Sequence, residues 1–194
     1  MEDLSKVIYR CPLCSTFESL ILTPNTGECS KCGASIEIDK RYHLHCKNEE
    51  CELEGSLEEI YQNLRIRRDE LEGLADRDLP GELEALCLDN EQIITFSEDV
   101  TLSAESFPGM EILFKGRMML TWKRLVFTKD SEFCSIPLEA VSSVTIEGNT
   151  KLQVYDSSKE KLYQLVFGRE SVLKWQDLIA AVIEKEFGHI PNLR

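Results

Sequence analysis

The sequence has few basic residues and no long apolar segment, and each of these shortages disfavours a class of function. Lys and Arg together number 22 against 35 Asp and Glu, which gives a formal charge of −13. A chain this acidic has no long-range attraction to polyanions, so non-specific binding to DNA or RNA is disfavoured. No apolar stretch approaches the roughly 20 residues that span a bilayer. We therefore expect membrane contact to be peripheral at most.

The motifs of common catalytic sites are also missing. The sequence has no Gly-rich phosphate loop, no GxSxG elbow and no HExxH pair, which are motifs with a known mechanical basis. Two cysteines, Cys87 and Cys134, stand apart from any histidine. An isolated cysteine is more often a small core residue than a nucleophile. The sequence therefore predicts no enzymatic activity.

Two CxxC knuckles are the most informative feature that is present. Cys11 and Cys14 form the first and Cys29 and Cys32 the second, with fourteen residues between them. Four thiolates placed two by two on tight turns can surround one Zn²⁺ as a tetrahedron, and Gly33 permits the positive φ that such a turn needs. Because four cysteines fill the coordination shell, the pattern indicates a structural zinc ribbon and not a catalytic zinc.

Disulfides or buried free thiols are the alternatives to a metal. The N-terminal residues are charged and lack the apolar core of a secretory signal, so we expect a soluble cytoplasmic protein in a reducing compartment. That expectation favours zinc over disulfides. The metal would also supply much of the folding free energy, because a segment of about 50 residues buries too little apolar surface to be secure alone.

A second group of metal-ligand residues follows the knuckles. On a strand, His43 and His45 share one face, and Cys46 and Cys51 bracket a four-residue knuckle. Together they offer four ligands for a second zinc, with the cysteines favoured over the histidines. The alternative is that the cysteines are small buried residues and that the histidines lie on a strand surface.

The pattern predicts a zinc ribbon over 1–55 and a helix with a linker over 56–80. Short strands are expected at 17–22 and 35–39. Ser56 and Glu59 form a capping box in front of an apolar stripe that predicts a helix over 57–72, with Gly73 as its C′ residue. A polar Pro-Gly segment at 75–81 marks the expected domain boundary.

The remainder, over 81–194, changes to the short period of β-strands. Apolar or β-branched runs separated by turns predict an antiparallel sandwich or barrel. They occur at 93–96, 100–102, 111–115, 117–121, 124–128, 144–146, 152–155 and 162–167. A strong amphipathic helix with Ser171 as N-cap and Gly188 after its last turn then ends the pattern. The predicted fold class is α+β, in which a small antiparallel barrel is capped by the C-terminal helix.

The hairpin sequence Gly116-Arg-Met-Met-Leu-Thr-Trp-Lys-Arg-Leu-Val-Phe127 and the segment 136–144, which begins Ile-Pro-Leu, resemble the GRAM and bacterial PH-like families. The resemblance covers about 88–188 and implies a PH-like domain that binds a protein or a lipid.

The order of a cysteine ribbon and a PH-like region also resembles the accessory region of some bacterial lysophospholipid acyltransferases. Those enzymes need an HxxxxD motif, in which the histidine is the base, and none of the three histidines here has an Asp at the fifth position beyond it. Any role in such an enzyme would therefore be regulatory or accessory, at a membrane surface.

Five basic residues around the predicted hairpin are the only local positive excess, and they could hold an anionic lipid head group. They are Lys115, Arg117, Lys123, Arg124 and Lys129. The alternative, favoured by the acidic background, is that they lie on the solvated face of an ordinary sheet. The leading functional hypothesis is a non-enzymatic, zinc-binding interaction module with a protein partner. A peripheral anionic membrane is a second candidate partner, and a nucleic-acid ribbon is disfavoured because its expected strands carry acids and few bases.

Overall fold

The computed structural model describes residues 4–75, 91–129, 132–148, 150–168 and 170–193. Contacts within the chain group it into two compact units, Met1–Arg65 and Ile66–Arg194. The boundary expected at 75–81 falls, apart from Ala75, outside the described residues, as does Cys87. None of the described helices is long and apolar enough to cross a membrane.

The first unit contains a five-stranded antiparallel sheet in which each strand pairs with the next along the chain. The strands are β1 (Leu20–Leu22), β2 (Thr26–Cys29), β3 (Ser35–Ile38), β4 (His43–Lys47) and β5 (Glu52–Ser56). The strand expected at 17–22 is shorter than predicted, because Glu18 has a positive φ of 54°, which interrupts extended backbone.

The core of the first unit joins one face of this sheet to the chain's N-terminal turn and to a helix. Strand alternation turns Ile36, Leu44 and Cys46 inward. They pack with Leu4 and Ile8, and with Cys11 and Cys29 from the two knuckles. The first cysteine of each knuckle is therefore part of the hydrophobic core.

Helix α1 (Leu57–Leu64) begins as the sequence predicts, with both capping-box hydrogen bonds formed between Ser56 and Glu59. It ends earlier than expected, so the predicted continuous helix over 57–72 is wrong. Arg65 leaves the helical region with ψ at 139°. Tyr9 Oη donates to Leu64 O (3.0 Å) and Arg10 Nη2 donates to Arg65 O (2.9 Å). Tertiary donors therefore satisfy carbonyls that a longer helix would have used.

The second unit opens with a short 3₁₀ turn at Arg68–Glu70 and helix α2 (Leu71–Ala75). Gly73 lies inside α2, so its expected role as the C′ residue of a long helix is also wrong. The cause is a second capping arrangement, in which the Arg67 N–H donates to Glu70 Oε2 at 2.8 Å and starts a new turn.

Seven antiparallel strands form the sheet of the second unit, in the order β10-β11-β12-β6-β7-β8-β9. They are β6 (Ile93–Ser106), β7 (Gly109–Thr121), β8 (Arg124–Lys129), β9 (Glu132–Pro137), β10 (Val141–Glu147), β11 (Lys151–Asp156) and β12 (Lys161–Phe167). The antiparallel prediction is confirmed, but the described strands do not close into the predicted small barrel. Within the described residues no ladder joins β9 to β10, the two end strands of the sheet, which the 3₁₀ turn Leu138–Ala140 connects in the chain.

Strands β6 and β7 each merge two strands that the sequence separates. The polar residues after Ser97 resemble a turn, yet they lie within β6. The strand accommodates them by a shift in its pairing register with β7 between Ser97 and Val100. Gly116 looks like a break but lies within β7, where a Cβ atom would be 2.5 Å from Thr128 O. Glycine is therefore needed there for the close approach of β8.

Helix α3 (Val172–Phe187) closes the chain as predicted, with Ser171 at its N-cap and Gly188 at φ 72° as its C-cap. Trp175 is completely buried and stacks on Phe167 with ring centroids 5.3 Å apart. The Gln176 side chain donates to Val144 O of β10 at 2.8 Å. This aromatic stack and this buried hydrogen bond are among the contacts that hold the helix on the sheet.

Candidate metal centre

The four knuckle cysteines converge in the first unit. Cys11 Sγ lies 3.6 Å from Cys32 Sγ, and Cys14 Sγ lies 3.7 Å from Cys29 Sγ. All four sulfur atoms are within 4.8 Å of one another. Each close pair joins the two knuckles, so neither knuckle is complete alone.

These separations fit a tetrahedral metal site and not disulfides. With Zn–S bonds of about 2.3 Å, the edge of a regular S₄ tetrahedron is about 3.8 Å. A disulfide would need a separation of about 2.05 Å, and all four cysteines are free thiols. The four cysteines lie together and could hold a metal ion.

The two knuckles share one backbone hydrogen-bond pattern. In the first, the Ser15 N–H donates to Cys11 O (2.8 Å) and the Cys11 N–H donates to Thr16 O (3.1 Å). In the second, the Gly33 N–H donates to Cys29 O (2.9 Å) and the Cys29 N–H donates to Ala34 O (2.8 Å). Two unrelated sequences adopt the same loop, each presenting two sulfur atoms to the common centre.

The residue after the second cysteine of each knuckle has a left-handed backbone. Gly33 has a φ of 67°, as the sequence predicts, and Ser15 has a φ of 56°. Glycine adopts this conformation without strain, whereas serine carries a steric cost. The sequence analysis did not single out Ser15. Its only signal in the sequence is that Ser15, like Gly33, directly follows the second cysteine of a knuckle.

The first cysteines of the two knuckles differ in pKa, because burial and hydrogen bonds have opposite effects on a thiol. Burial favours the neutral thiol of Cys29, but contact with Ser19 Oγ and the backbone N–H groups of Cys32 and Lys31 outweigh it and lower the pKa to about 6. At Cys11 burial dominates over the N–H groups of Cys14 and Leu13, and raises the pKa well above its usual range. In both knuckles, backbone N–H groups point at sulfur and stabilise a thiolate.

The second cysteine of each knuckle shows the same competition. At Cys14 burial is outweighed by hydrogen bonds to the Thr16 side chain and backbone, so the pKa is lowered. At Cys32 burial prevails over the Ala34 N–H, so the pKa is raised. A cation at the centre would favour the thiolate at all four positions, because it offsets the cost of burying negative charge.

The four candidates for a second site do not lie together, since three of them are divided between opposite faces of β4 and the fourth, Cys51, lies beyond that strand. His43 and His45 lie on the solvent side, whereas Cys46 is fully buried beside the four-cysteine cluster. Burial first, and then the nearby Cys32, raises the Cys46 pKa to about 11. Cys51 is exposed in the turn before β5. The structure therefore does not bring these four side chains together, and it places Glu54 beside the two histidines instead.

The five basic residues of the predicted lipid site lie in and around β7 and β8, but two of them have acidic partners. Arg117 forms an ion pair with Glu98, and Arg124 Nε lies 3.0 Å from Glu91 Oε2. Lys115, Lys123 and Lys129 are exposed, and Lys129 is opposite Glu132 in the β8–β9 ladder. Lipid binding by these five residues stays a prediction.

An exposed apolar hairpin tip is a feature that sequence analysis missed. Phe107 is fully exposed, and Met110, Ile112 and Leu113 are between 39% and 56% exposed. They lie where β6 and β7 extend past their neighbours, since β12 pairs with β6 only at Val100–Ala104 and β8 pairs with β7 only at Arg117–Leu120. We call these four residues the hairpin tip.

The chain is similar to several solved structures at low sequence identity. No family model matches the chain, and no curated protein matches it. Among solved structures, Vav1 inhibited by an allosteric inhibitor is similar at a TM-score of 0.42 and 12% identity, covering 66% of this chain and 37% of that chain. An apo structure of an activated truncation of Vav1 gives 0.39 and 14%, with the same coverage.

The linker-DH/PH domains of p115-RhoGEF give a TM-score of 0.36 at 13% identity, covering 69% of this chain and 44% of that chain. The chain thus spans less than half the length of each of these structures. Similarity at this level assigns no activity and no partner.

Proposed function

We propose that the first unit is a structural zinc domain, a zinc ribbon extended to five strands. The observation that carries this proposal is the pair of matched knuckles, whose four sulfur atoms lie at tetrahedral spacing. When bound, Zn²⁺ would add four metal–sulfur bonds at the edge of a small core. Metal binding of this kind stabilises the folding of zinc-finger peptides by about 10–16 kcal/mol. The cysteines Cys11, Cys14, Cys29 and Cys32 would hold it, with no position left for water.

Elemental analysis of purified protein tests the zinc proposal. We expect one tightly bound zinc per chain, with an X-ray absorption spectrum of four sulfur neighbours at about 2.3 Å. Cys29→Ser should lose the metal. Cys51→Ser is the matched control, because Cys51 is exposed and outside the cluster, and it should keep the zinc. A stable, natively folded protein without zinc would contradict the proposal.

We further propose that the second unit is a PH-like domain that binds a protein partner. Seven antiparallel strands followed by one packed helix, together with the hairpin sequence from Gly116 to Phe127, support the PH-like assignment. The hairpin tip supports a protein partner, since clustered exposed apolar side chains, an aromatic ring among them, are typical of the central residues of interfaces.

Charge argues against a simple anionic membrane as the partner. Glu105 and Glu111 are exposed on the same hairpin as Phe107, and two of the five basic residues are paired with acids. Basic groups near an anionic surface contribute about 1 kcal/mol each. The three remaining lysines would give about 3 kcal/mol, which corresponds to a dissociation constant weaker than millimolar.

A photo-crosslinking amino acid placed at position 107 tests the partner proposal, with position 133 as the control. Phe133 is also an exposed phenylalanine, at 59%, but lies on β9. We expect one protein adduct from position 107 in the native cell that position 133 does not give and that Ile112→Ser abolishes. Crosslinking to lipid, or salt-sensitive flotation with phosphatidylserine vesicles at micromolar affinity, would favour the membrane instead.

A further inference from the structure

His43, His45 and Glu54 form a cluster on the solvent face of the first unit's sheet. Residues two apart on a strand share a face, so the two histidines of β4 lie on the side opposite Leu44 and Cys46. Glu54 of β5 is directly opposite His45 in the β4–β5 ladder. The placement is fixed by the sheet and does not depend on a loop.

The side chains of this cluster already lie near the spacing of metal ligands. Glu54 Oε1 is 3.6 Å from His45 Nδ1 and 3.9 Å from His43 Nδ1, and the candidate ligand atoms of the three residues lie within 4.8 Å of one another. Bonds of about 2.1 Å in a tetrahedral site would bring such atoms to about 3.4 Å. The side chains are 44% to 56% exposed, so small rotations can close the difference.

The surroundings of the cluster are negatively charged. Glu37 of β3 is opposite His45 on the side away from Glu54, so carboxylates flank this histidine across both neighbouring strands. Asp39 lies close enough to both histidines, and Glu59 to His43, for charge interactions. The carboxylates of Asp39 and Glu59 also accept hydrogen bonds from the backbone. They would therefore attract a cation without leaving their structural roles.

We propose that His43, His45 and Glu54 form a second metal site, open and exchangeable, for a divalent cation such as Zn²⁺, Ni²⁺ or Cu²⁺. Two imidazoles with one carboxylate suit these ions, whereas Ca²⁺ and Mg²⁺ prefer all-oxygen ligands. Three protein ligands leave at least one position for water or for a group from another molecule. The site is independent of the four-cysteine centre, because β4 turns its cysteine to the other face.

Titration of the zinc-loaded full chain with Ni²⁺ tests this site, with the bound metal followed by calorimetry and by paramagnetic broadening in amide NMR spectra. We expect one Ni²⁺ per chain in addition to the resident zinc, with broadening centred on β4 and β5. His43→Ala and His45→Ala should each weaken binding by at least about tenfold, and Glu54→Gln by about tenfold.

Two matched controls complete the experiment. His189→Ala removes the one other histidine of the sequence, and Glu52→Gln changes an acid on β5 that is opposite Lys47 and not a histidine. Both should leave the affinity unchanged within twofold. Retained zinc and dispersed amide spectra verify that each variant is folded. The proposal is overturned by the absence of saturable Ni²⁺ binding, by broadening elsewhere, or by equal losses in the controls. Any of these results would leave an ordinary surface contact between histidine and glutamate.

Discussion

At the scale of single residues, the side chains and the backbone of the knuckles have separate roles in the metal site. The cysteines supply sulfur, but the loop that orients them depends on the residue that follows each CxxC. That residue is Gly33 in one knuckle and Ser15 in the other, both with positive φ. Only the glycine is free of a steric cost, so the first knuckle carries strain that the second lacks.

Substitutions at Gly33 and at Ser15 should have opposite effects on the stability of the first unit. Gly33→Ala should destabilise the zinc-loaded first unit by about 1 kcal/mol, whereas Ser15→Gly should be neutral or stabilise it by several tenths. Ser30→Gly is the control, because Ser30 has no positive φ. It should destabilise by about 1–2 kcal/mol, since it gains the backbone freedom of glycine and also loses the hydrogen bond from Ser30 Oγ to Ser19 O. Chemical denaturation followed by far-UV circular dichroism measures all three. A loss in Ser15→Gly equal to that in Ser30→Gly would refute the strain argument.

Zinc binding near pH 7.5 should release about four protons per metal. Without zinc we expect the first unit to be unfolded, so its four cysteines keep the ordinary pKa of 9.0 and are thiols at this pH. In the folded unit, hydrogen bonds outweigh burial and lower the pKa of Cys29 to about 6. This lowered pKa stabilises the fold fully above the unfolded value of 9.0, and the stabilisation is lost as the pH falls through about 6. Calorimetry in two buffers of different ionisation enthalpy counts the protons, and a count of zero would contradict thiolate ligation.

At the scale of elements, local signals fix where α1 begins and where α3 ends, whereas tertiary contacts fix where α1 ends. The capping box at Ser56 starts α1, and Gly188 stops α3, as a sequence reader expects. The end of α1 is set instead by Tyr9 and Arg10, whose donors come from a segment more than fifty residues away. In the second unit, α3 is held by the burial of Trp175.

Replacing Trp175 by Ala should cost about 3–5 kcal/mol of unfolding free energy, because it opens a large cavity beside Phe167. Trp122→Ala is the control. Trp122 is half-buried at a turn, with its Nε1 donating to Gln92 Oε1 at 3.2 Å and Lys185 Nζ 4.9 Å from its ring centroid. Its loss should cost clearly less. Urea denaturation compares the two variants, and equal costs would show that α3 does not anchor the second unit.

At the scale of the whole molecule, the two units have different sources of stability. The first has a small core that includes three of the chain's cysteines, Cys11, Cys29 and Cys46, so its folding depends on what the sulfur atoms bind. The second builds an ordinary hydrophobic core from a seven-stranded sheet and a helix. Metal should therefore govern one unit and not the other.

Removing zinc with a strong chelator should unfold the first unit and leave the second folded. Both tryptophans of the chain, Trp122 and Trp175, belong to the second unit, so their fluorescence reports on that unit alone. We expect unchanged tryptophan emission while the amide NMR signals of β1 to β5 collapse toward random-coil positions. A red shift of tryptophan emission at the same chelator concentration would show that the units unfold together.

Part of this fold could be predicted because its signals are local in the chain. CxxC spacing, the capping box and the period of the strands each act within a few residues, and they gave the four-cysteine cluster, the start of α1, the antiparallel strands and α3. The merging of strands across Gly116 could not be predicted, since it depends on how closely β8 approaches. The same holds for the open sheet, because closure depends on where the last strands lie.

The sequence by itself determined which residues can hold a metal and where the apolar stripe of the last helix lies, since ligand chemistry and helical period belong to the chain. Only the tertiary structure decided which ligands meet. Strand alternation turned Cys46 into the core and left His43 and His45 outside, and the β4–β5 register placed Glu54 beside them. Strand pairing also decided that Phe107 and its neighbours extend past the sheet. The sequence alone could not show this, because whether an apolar residue is buried depends on which other parts of the chain pack against it.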